Sequence, residues 1–339
     1  MIEPAYSPTP ERIFEALNAY QKSASLKAAI ELDVFTAIGE EVGSAADLAK
    51  RCETSERGMR ILCDYLVVQG FLTKEDYHYR LTPETATFLN RRSPAYIGSV
   101  AKFLNSPRLV ESFEDVAAVV RKGGTVTSEE GTVSAENPIW LEFARSMASL
   151  QRPVADGIAK LINAACGEPW KVLDIAAGHG LFGIAIARLN PNAQIVALDW
   201  PGVVAIAREN AQAEEMADRF HTLAGSAFEV DYGCGYDLVL VTNFFHHFDA
   251  PTCQKLMAKI YNALKNGGRV VTLEFVPNED RVSPAIAATF SMVMLGTTAA
   301  GDAYTFSEYD RMFRSAGFNS NEIHPLPLSP GQVIISHKL

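Results

Sequence analysis

No uninterrupted apolar run in the 339 residues approaches the ~18 needed to span a membrane, so no transmembrane helix is expected. The first residues, MIEPAYSPTPERIFEAL, lack a basic stretch followed by an apolar core, so no secretory signal is expected. Cysteine is scarce. The five present (Cys52, Cys63, Cys166, Cys234, Cys253) are scattered, odd in number, and form no CxxC pair. That pattern argues against a disulfide framework or a cysteine zinc site and fits reduced thiols in the cytoplasm. Positive charge is in deficit: Lys+Arg 30 stand against Asp+Glu 40, a formal charge of −10. A chain that binds a phosphate backbone should show the opposite balance. Internal repeats and low-complexity tracts are also missing. The length allows two domains.

What is present is organised around residues 170–200, WKVLDIAAGHGLFGIAIARLNPNAQIVALDW. Val172, Leu173 and Ile175 form a short apolar run suited to a buried parallel strand. Gly178, His179 and Gly180 make a tight turn. Leu181 to Leu189 has near-helical apolar spacing, and Asn190-Pro191-Asn192 stops it. A second apolar run, Ile195 to Leu198, ends on Asp199. Sheets of this kind place ligands outside the carboxyl ends of their strands.

The turn matches the dinucleotide fingerprint Gly178-x-Gly180-x-x-Gly183, which raises an NAD-linked oxidoreductase. Asp174 argues against it, because a carboxylate there would repel a pyrophosphate on the helix N-terminus. The same carboxylate suits an ammonium. S-adenosylmethionine (SAM) carries an ammonium, a ribose diol and an adenine, and no phosphate. Asp174 for the amine, Gly178 and Gly180 for close backbone approach, and Asp199 for the ribose fit it piece by piece.

Upstream, residues 1–10 hold three prolines and read as an arm. A helix is expected from Glu11, with Ile13, Phe14, Leu17 and Tyr20 on one stripe. Further helices start at Ser44 and at Thr54 or Ser55, a two-stranded wing covers Phe71 to Leu81, and Thr82-Pro83 opens another helix. This winged-helix pattern suggests DNA binding, but residues 1–95 carry 11 basic and 14 acidic side chains. A packing or dimerisation module is the better reading, with no nucleic-acid partner. Residues 96–165 read as a helical linker whose apolar residues, among them Leu104, Phe113 and Val120, are mostly core. Pro153 is expected to open its last helix.

Downstream, strands are expected at Phe220 to Ala224, Asp237 to Val241, Arg269 to Phe275, near Ile323 and at Gln332 to Ser336, with helices between. Strands alternating with helices predict an α/β fold with a mostly parallel, doubly wound sheet in residues 166–339. Asp174, Asp199, Ser226, Asn243, His246 and Glu274 then fall at or just after successive carboxyl ends and converge. Methyl transfer from a sulfonium needs a deprotonated nucleophile held in line. His246 is the candidate base, with Glu274 fixing its tautomer. Gly225, Ser226, Ala227 and Phe228 follow the third strand. Phe228 or Trp200 is the candidate cover for the adenine. His247 is expected to be structural, and His246, His247 and Asp249 lack a fourth ligand, so no metal is expected.

From about residue 10 onward the chain resembles the SAM-dependent O-methyltransferases with an N-terminal winged-helix dimerisation domain. These include the caffeate and acetylserotonin types and bacterial natural-product enzymes. The resemblance is carried by LDIAAGHG, ALDWPGV, GSAF, NFFHHFD, LKNGGRVVTLEF and GDAYTFSEYDRMFRSAGF. It implies a Rossmann-like class I methyltransferase domain, and a domain-swapped homodimer whose N-terminal modules reach the partner's pocket. It also implies a catalytic His246, an orienting Glu274, and S-adenosylhomocysteine as product. Three departures stand out. Ser226 replaces the usual acid, His247 replaces the usual Asp, and the second flanking Glu expected near Gly301 is missing, with Asp302 as a weak substitute. The expected activity is methyl transfer to a hydroxyl of a small aromatic molecule. The alternatives are carbon or nitrogen methylation, or non-methylating chemistry on the same fold.

Overall fold

The computed structural model describes residues 8–41, 43–327 and 329–339. It divides into two compact units, Met1–Ser106 and Pro107–Leu339, so the segment 96–165 is shared between them. Most of the expected proline-rich arm lies outside the described residues.

The first unit is helical, with one hairpin. Its helices are Glu11–Leu17, Ala19–Glu31, Val34–Gly39, Ala45–Arg51, Glu56–Val68, Pro83–Phe88 and Val100–Leu104. Strands β1 (Leu72–Glu75) and β2 (His78–Leu81) pair antiparallel as the wing. Local chemistry sets the helix starts: Ser44 and Ser55 each accept a backbone N–H three residues on, and Thr82 forms a capping box ahead of Pro83. Val34, Phe35, Leu48, Met59, Leu66 and Leu72 form the core. The stripe Ile13, Phe14, Leu17 and Tyr20 is 63%, 59%, 68% and 68% exposed. The expected single helix breaks at Asn18, so Ile13, Phe14 and Leu17 lie on Glu11–Leu17 and Tyr20 on Ala19–Glu31, and all four face solvent in this chain. Leu104, Phe113 and Val120, expected in the core, are exposed, while Val119 is buried.

The second unit is built on a seven-stranded sheet of order β5-β4-β3-β6-β7-β9-β8. Its strands are β3 (Lys171–Ile175), β4 (Gln194–Asp199), β5 (Phe220–Ala224), β6 (Tyr236–Thr242), β7 (Leu264–Glu274), β8 (Ser320–Pro325) and β9 (Gln332–His337). The first five pair parallel, and β9 runs antiparallel to both β7 and β8. The chain leaves β3 toward β4 and β5, then returns to β6 on the other side. That reversal opens a crevice at the carboxyl ends of the central strands. Side chains alternate between two cores. Val172, Leu238 and Val271 pack on the helices Ala148–Leu161 and Leu181–Leu189. Leu173, Val239 and Val270 pack on Ala250–Ala263 and Phe306–Ser315. Each buried aliphatic side chain contributes about 1.5–3 kcal/mol.

Two further boundaries differ from expectation. Pro153 lies inside the helix Ala148–Leu161 rather than opening it, because a missing N–H removes one bond and the preceding turn persists. Strand β7 starts at Leu264 rather than Arg269. Leu264 pairs with Tyr236 and Arg269 with Leu238, so Lys265 to Gly268 bulge out between them. Gly267 takes a φ of 76° there and donates to the Lys338 carbonyl at 2.8 Å.

Candidate active site

The glycine turn between β3 and the helix Leu181–Leu189 is pinned by two carboxylates. Asp174, fully buried, accepts from the Gly183 N–H at 3.1 Å. Asp199 accepts from the Gly178 N–H at 2.8 Å and the Trp200 N–H at 2.7 Å. Gly178 and Gly180 adopt φ of 58° and 74°, where a Cβ is disfavoured. A Cβ on Gly180 would also stand 2.8 Å from that of Ala207, so this glycine seats the turn on the next helix.

Burial raises the Asp174 carboxyl to about 7, against the lowering effect of the Gly183 N–H, with Asp199 adding to the rise. Burial raises Asp199 to about 6, partly offset by its two N–H donors. Oδ1 of Asp174 is buried and has no hydrogen-bond partner among the described residues. An orphaned buried carboxylate oxygen is costly, and a cationic donor is what it lacks. The residues present therefore fit the ammonium of SAM, and each Asp199 oxygen has a lone pair left for a ribose hydroxyl.

On the other side of β3, strand β6 ends in the turn Phe245–His247, and the neighbouring β7 ends on Glu274. Glu274 is fully buried. Its Oε1 accepts from the N–H groups of Phe244 (3.0 Å) and Phe245 (2.8 Å), and its Oε2 meets His246 Nδ1 at 2.5 Å. One carboxylate thus shapes the turn and orients the ring it carries. The His246 ring lies edge-on to Phe290, with centroids 4.8 Å apart, and Phe290 stacks on Phe275.

Trp200 caps the helix Pro201–Ala213 and packs, half-buried, on Val203 and Ile206. Gly225 donates to the Asp199 carbonyl at 2.9 Å, and Ser226 Oγ accepts from the Phe228 N–H at 3.2 Å. Ala227 is buried, while Phe228 is 38% exposed, with its ring edge-on to Phe248. Asn243 takes a φ of 54° as it leaves β6 and donates its N–H to the Leu273 carbonyl at 2.8 Å.

Asp302 is turned to other work: it pairs with Arg281 at 3.3 Å and accepts from the Ala303 N–H at 2.8 Å. Asp249 caps the helix Ala250–Ala263, and His247 is buried against Trp140. Burial, with His246 beside it, holds His247 well below the usual histidine range, so it is neutral.

Three further residues shape the site and were given no role of their own from sequence. Gly301 lets its loop approach the base turn, since a Cβ there would sit 2.3 Å from the His246 carbonyl oxygen. His179, in the glycine turn, is buried, and desolvation lowers it to about 4. Its Nδ1 accepts from the Leu181 N–H, which places its proton on Nε2. Ala176 leaves β3 at a φ of 54°, a strained position for a residue with a Cβ. Only the glycine at 301 could have been flagged from sequence.

The family model for the O-methyltransferase domain matches residues 131–319, and that for the O-methyltransferase dimerisation domain matches residues 14–91. A crystal structure from Nostoc punctiforme, provisionally named an O-methyltransferase, is 53% identical, with a TM-score of 0.95 over 98% of this chain and 100% of that one. A 3-hydroxy-5-methyl-1-naphthoate 3-O-methyltransferase from Streptomyces sahachiroi is 27% identical over 91% of this chain and 89% of its own. Human N-acetylserotonin methyltransferase, solved with SAM, shares the fold with a TM-score of 0.83 at 24% identity, over 99% of both chains.

Proposed function

The chain belongs to the O-methyltransferases that carry their own dimerisation domain, and on that premise we propose that it methylates a hydroxyl of a small aromatic molecule, with His246 as general base. Its methyl donor is SAM, and the nicotinamide reading is dropped. The observation that carries the base assignment is the buried His246–Glu274 pair at 2.5 Å, at the carboxyl edge of the sheet. The naphthoate relative, a hydroxyl methyltransferase, supports the substrate class.

When bound, SAM supplies an electrophilic methyl whose leaving group departs neutral. Asp174 would hold its ammonium, Asp199 its ribose, and Gly225 to Phe228 with Asn243 its adenosine side. Trp200, whose N–H donates to Asp199, would lie beside the adenosine. Glu274 keeps the His246 proton on Nδ1, which leaves Nε2 free to take the acceptor's hydroxyl proton. The imidazolium that results is stabilised by the same carboxylate. Phe275 and Phe290 offer an apolar wall for an aromatic ring.

We read residues 1–95 as the dimerisation module and 166–339 as the cofactor domain, with 96–165 adding Trp140 beside His247 and Phe143 beside the glycine turn. The exposed stripe Ile13, Phe14, Leu17 and Tyr20 suits a homodimer contact. Among the described residues no helix is long and apolar enough to cross a membrane. The five cysteines are all free, which favours the cytoplasm.

The test is methyl transfer from SAM to a panel of hydroxylated naphthoates and phenols, with the products sequenced by mass fragmentation. An O-methyl product, lost in His246→Ala while S-adenosylhomocysteine still binds, is the expected result. Full activity in His246→Ala refutes the base, and a C- or N-methyl product moves the reading to the alternative chemistry.

A further inference from the structure

Three backbone carbonyls converge on one ammonium beside the turn that follows β5. Lys259, on the helix Ala250–Ala263, donates to the carbonyls of Ala227 (3.1 Å), Phe228 (3.0 Å) and Val230 (2.7 Å). An ammonium has three protons, so these bonds use all of them. The ammonium also lies 4.1 Å from the centroid of the Tyr232 ring, whose hydroxyl donates to the same Ala227 carbonyl. Carbonyl oxygens gathered this closely repel one another unless a cation sits between them. The turn 226–230 is therefore shaped by the lysine and not merely decorated by it.

The same helix ties this turn to the base. It begins at Asp249, whose carboxylate caps it at the Thr252 N–H, directly after the turn that carries His246. Lys259 sits about 15 Å further along its axis. Phe228, held at its carbonyl by Lys259, sets its ring against Phe248 and Phe244, with centroids at 5.0 and 6.4 Å, and both flank the Phe245–His247 turn.

We infer that Lys259 is a positioning residue, whose ammonium holds the 226–230 turn in the shape that receives the adenosine half of the cofactor. This rests on reading Gly225 to Phe228 as the adenosine contact. The lysine touches no reacting atom, so its effect belongs in cofactor affinity and not in the chemical step.

The experiment titrates S-adenosylhomocysteine and 5′-methylthioadenosine, which keeps only the adenosine half, into the full-length protein and the variants Lys259→Met, Lys259→Arg and Phe228→Ala. Lys259→Met should raise both Kd values by the same factor, about tenfold, as expected for lost charged hydrogen bonds. Lys259→Arg should recover most of the loss. If Lys259→Met does not fold, Lys259→Gln, with two donors, replaces it and should give a smaller equal rise. Unchanged Kd values in the lysine variants, with a loss in Phe228→Ala, overturn the role of Lys259 alone. No loss in Phe228→Ala or in any lysine variant overturns the adenosine contact itself. A loss for S-adenosylhomocysteine that methylthioadenosine does not share means a diffuse structural effect, and also overturns the inference.

Discussion

Replacing Glu274 by Gln changes one atom and sets two demands against each other. The carboxylate accepts two backbone N–H groups on Oε1 and meets His246 Nδ1 on Oε2. A glutamine has one acceptor oxygen. Turned toward the N–H groups of Phe244 and Phe245, it keeps both bonds and presents its NH2 to His246. Turned the other way, it leaves two buried donors unsatisfied, at about 1–3 kcal/mol each. The first orientation therefore wins. Its NH2 donates to Nδ1, which must then accept, so the ring proton moves to Nε2, the atom that should take the acceptor's proton. The fold survives and the base is lost. The expected fall in kcat is about 10²- to 10⁴-fold, the range for removing a general base or its correct tautomer. Binding of S-adenosylhomocysteine should change little. The assay pairs initial rates at saturating SAM with ¹⁵N NMR of the His246 ring. A variant whose ring tautomer has switched but whose kcat stays within a few-fold of the parent refutes the role given to His246.

Other outcomes follow from the same geometry. Gly180→Ala places a Cβ 2.8 Å from Ala207 and 3.0 Å from Phe220 at a φ of 74°, so it should cost about 2–4 kcal/mol and lower Tm. Gly178→Ala has a φ of 58° but nothing nearer than 3.7 Å, so it should cost only about 1–2 kcal/mol. Asp174 and Asp199 are raised to about 7 and about 6, above their unfolded values. The free protein thus binds more protons folded than unfolded, and this part of its stability, full below about pH 4, fades as pH rises toward 7. Ammonium binding needs the ionised form and runs the other way. S-adenosylhomocysteine should bind tighter from pH 6 to 8 and release a proton, seen by calorimetry in buffers of different ionisation enthalpy, and Asp174→Asn should flatten that profile. Asp302→Asn should leave methyl transfer within about threefold, because a half-exposed pair with Arg281 is worth little and the carboxylate is already engaged there.

The sheet was legible because strands buried on both faces read as continuous apolar runs, and Leu173, Val239 and Val270 sit where those runs placed them. Residues at strand ends were legible as a set, because strand order alone brings Asp174, Asp199, His246 and Glu274 to one edge. What the sequence hid was contact with backbone. Lys259 binds three carbonyls, and a carbonyl has no letter in the sequence. A lysine in a helix reads as a solvated side chain unless the path of another loop is known. Asp302 is a poorer stand-in than its position suggests, for a different reason. Position near Gly301 suggested proximity to the base, but Arg281, about twenty residues upstream, claims its carboxylate first. The exposed stripe from Ile13 to Tyr20 shows the converse: its helical period was clear, yet burial depends on what covers it, and nothing described in this chain does. Periodicity reports which face wants a partner, charge and backbone geometry decide who answers, and only the first is written in the order of residues.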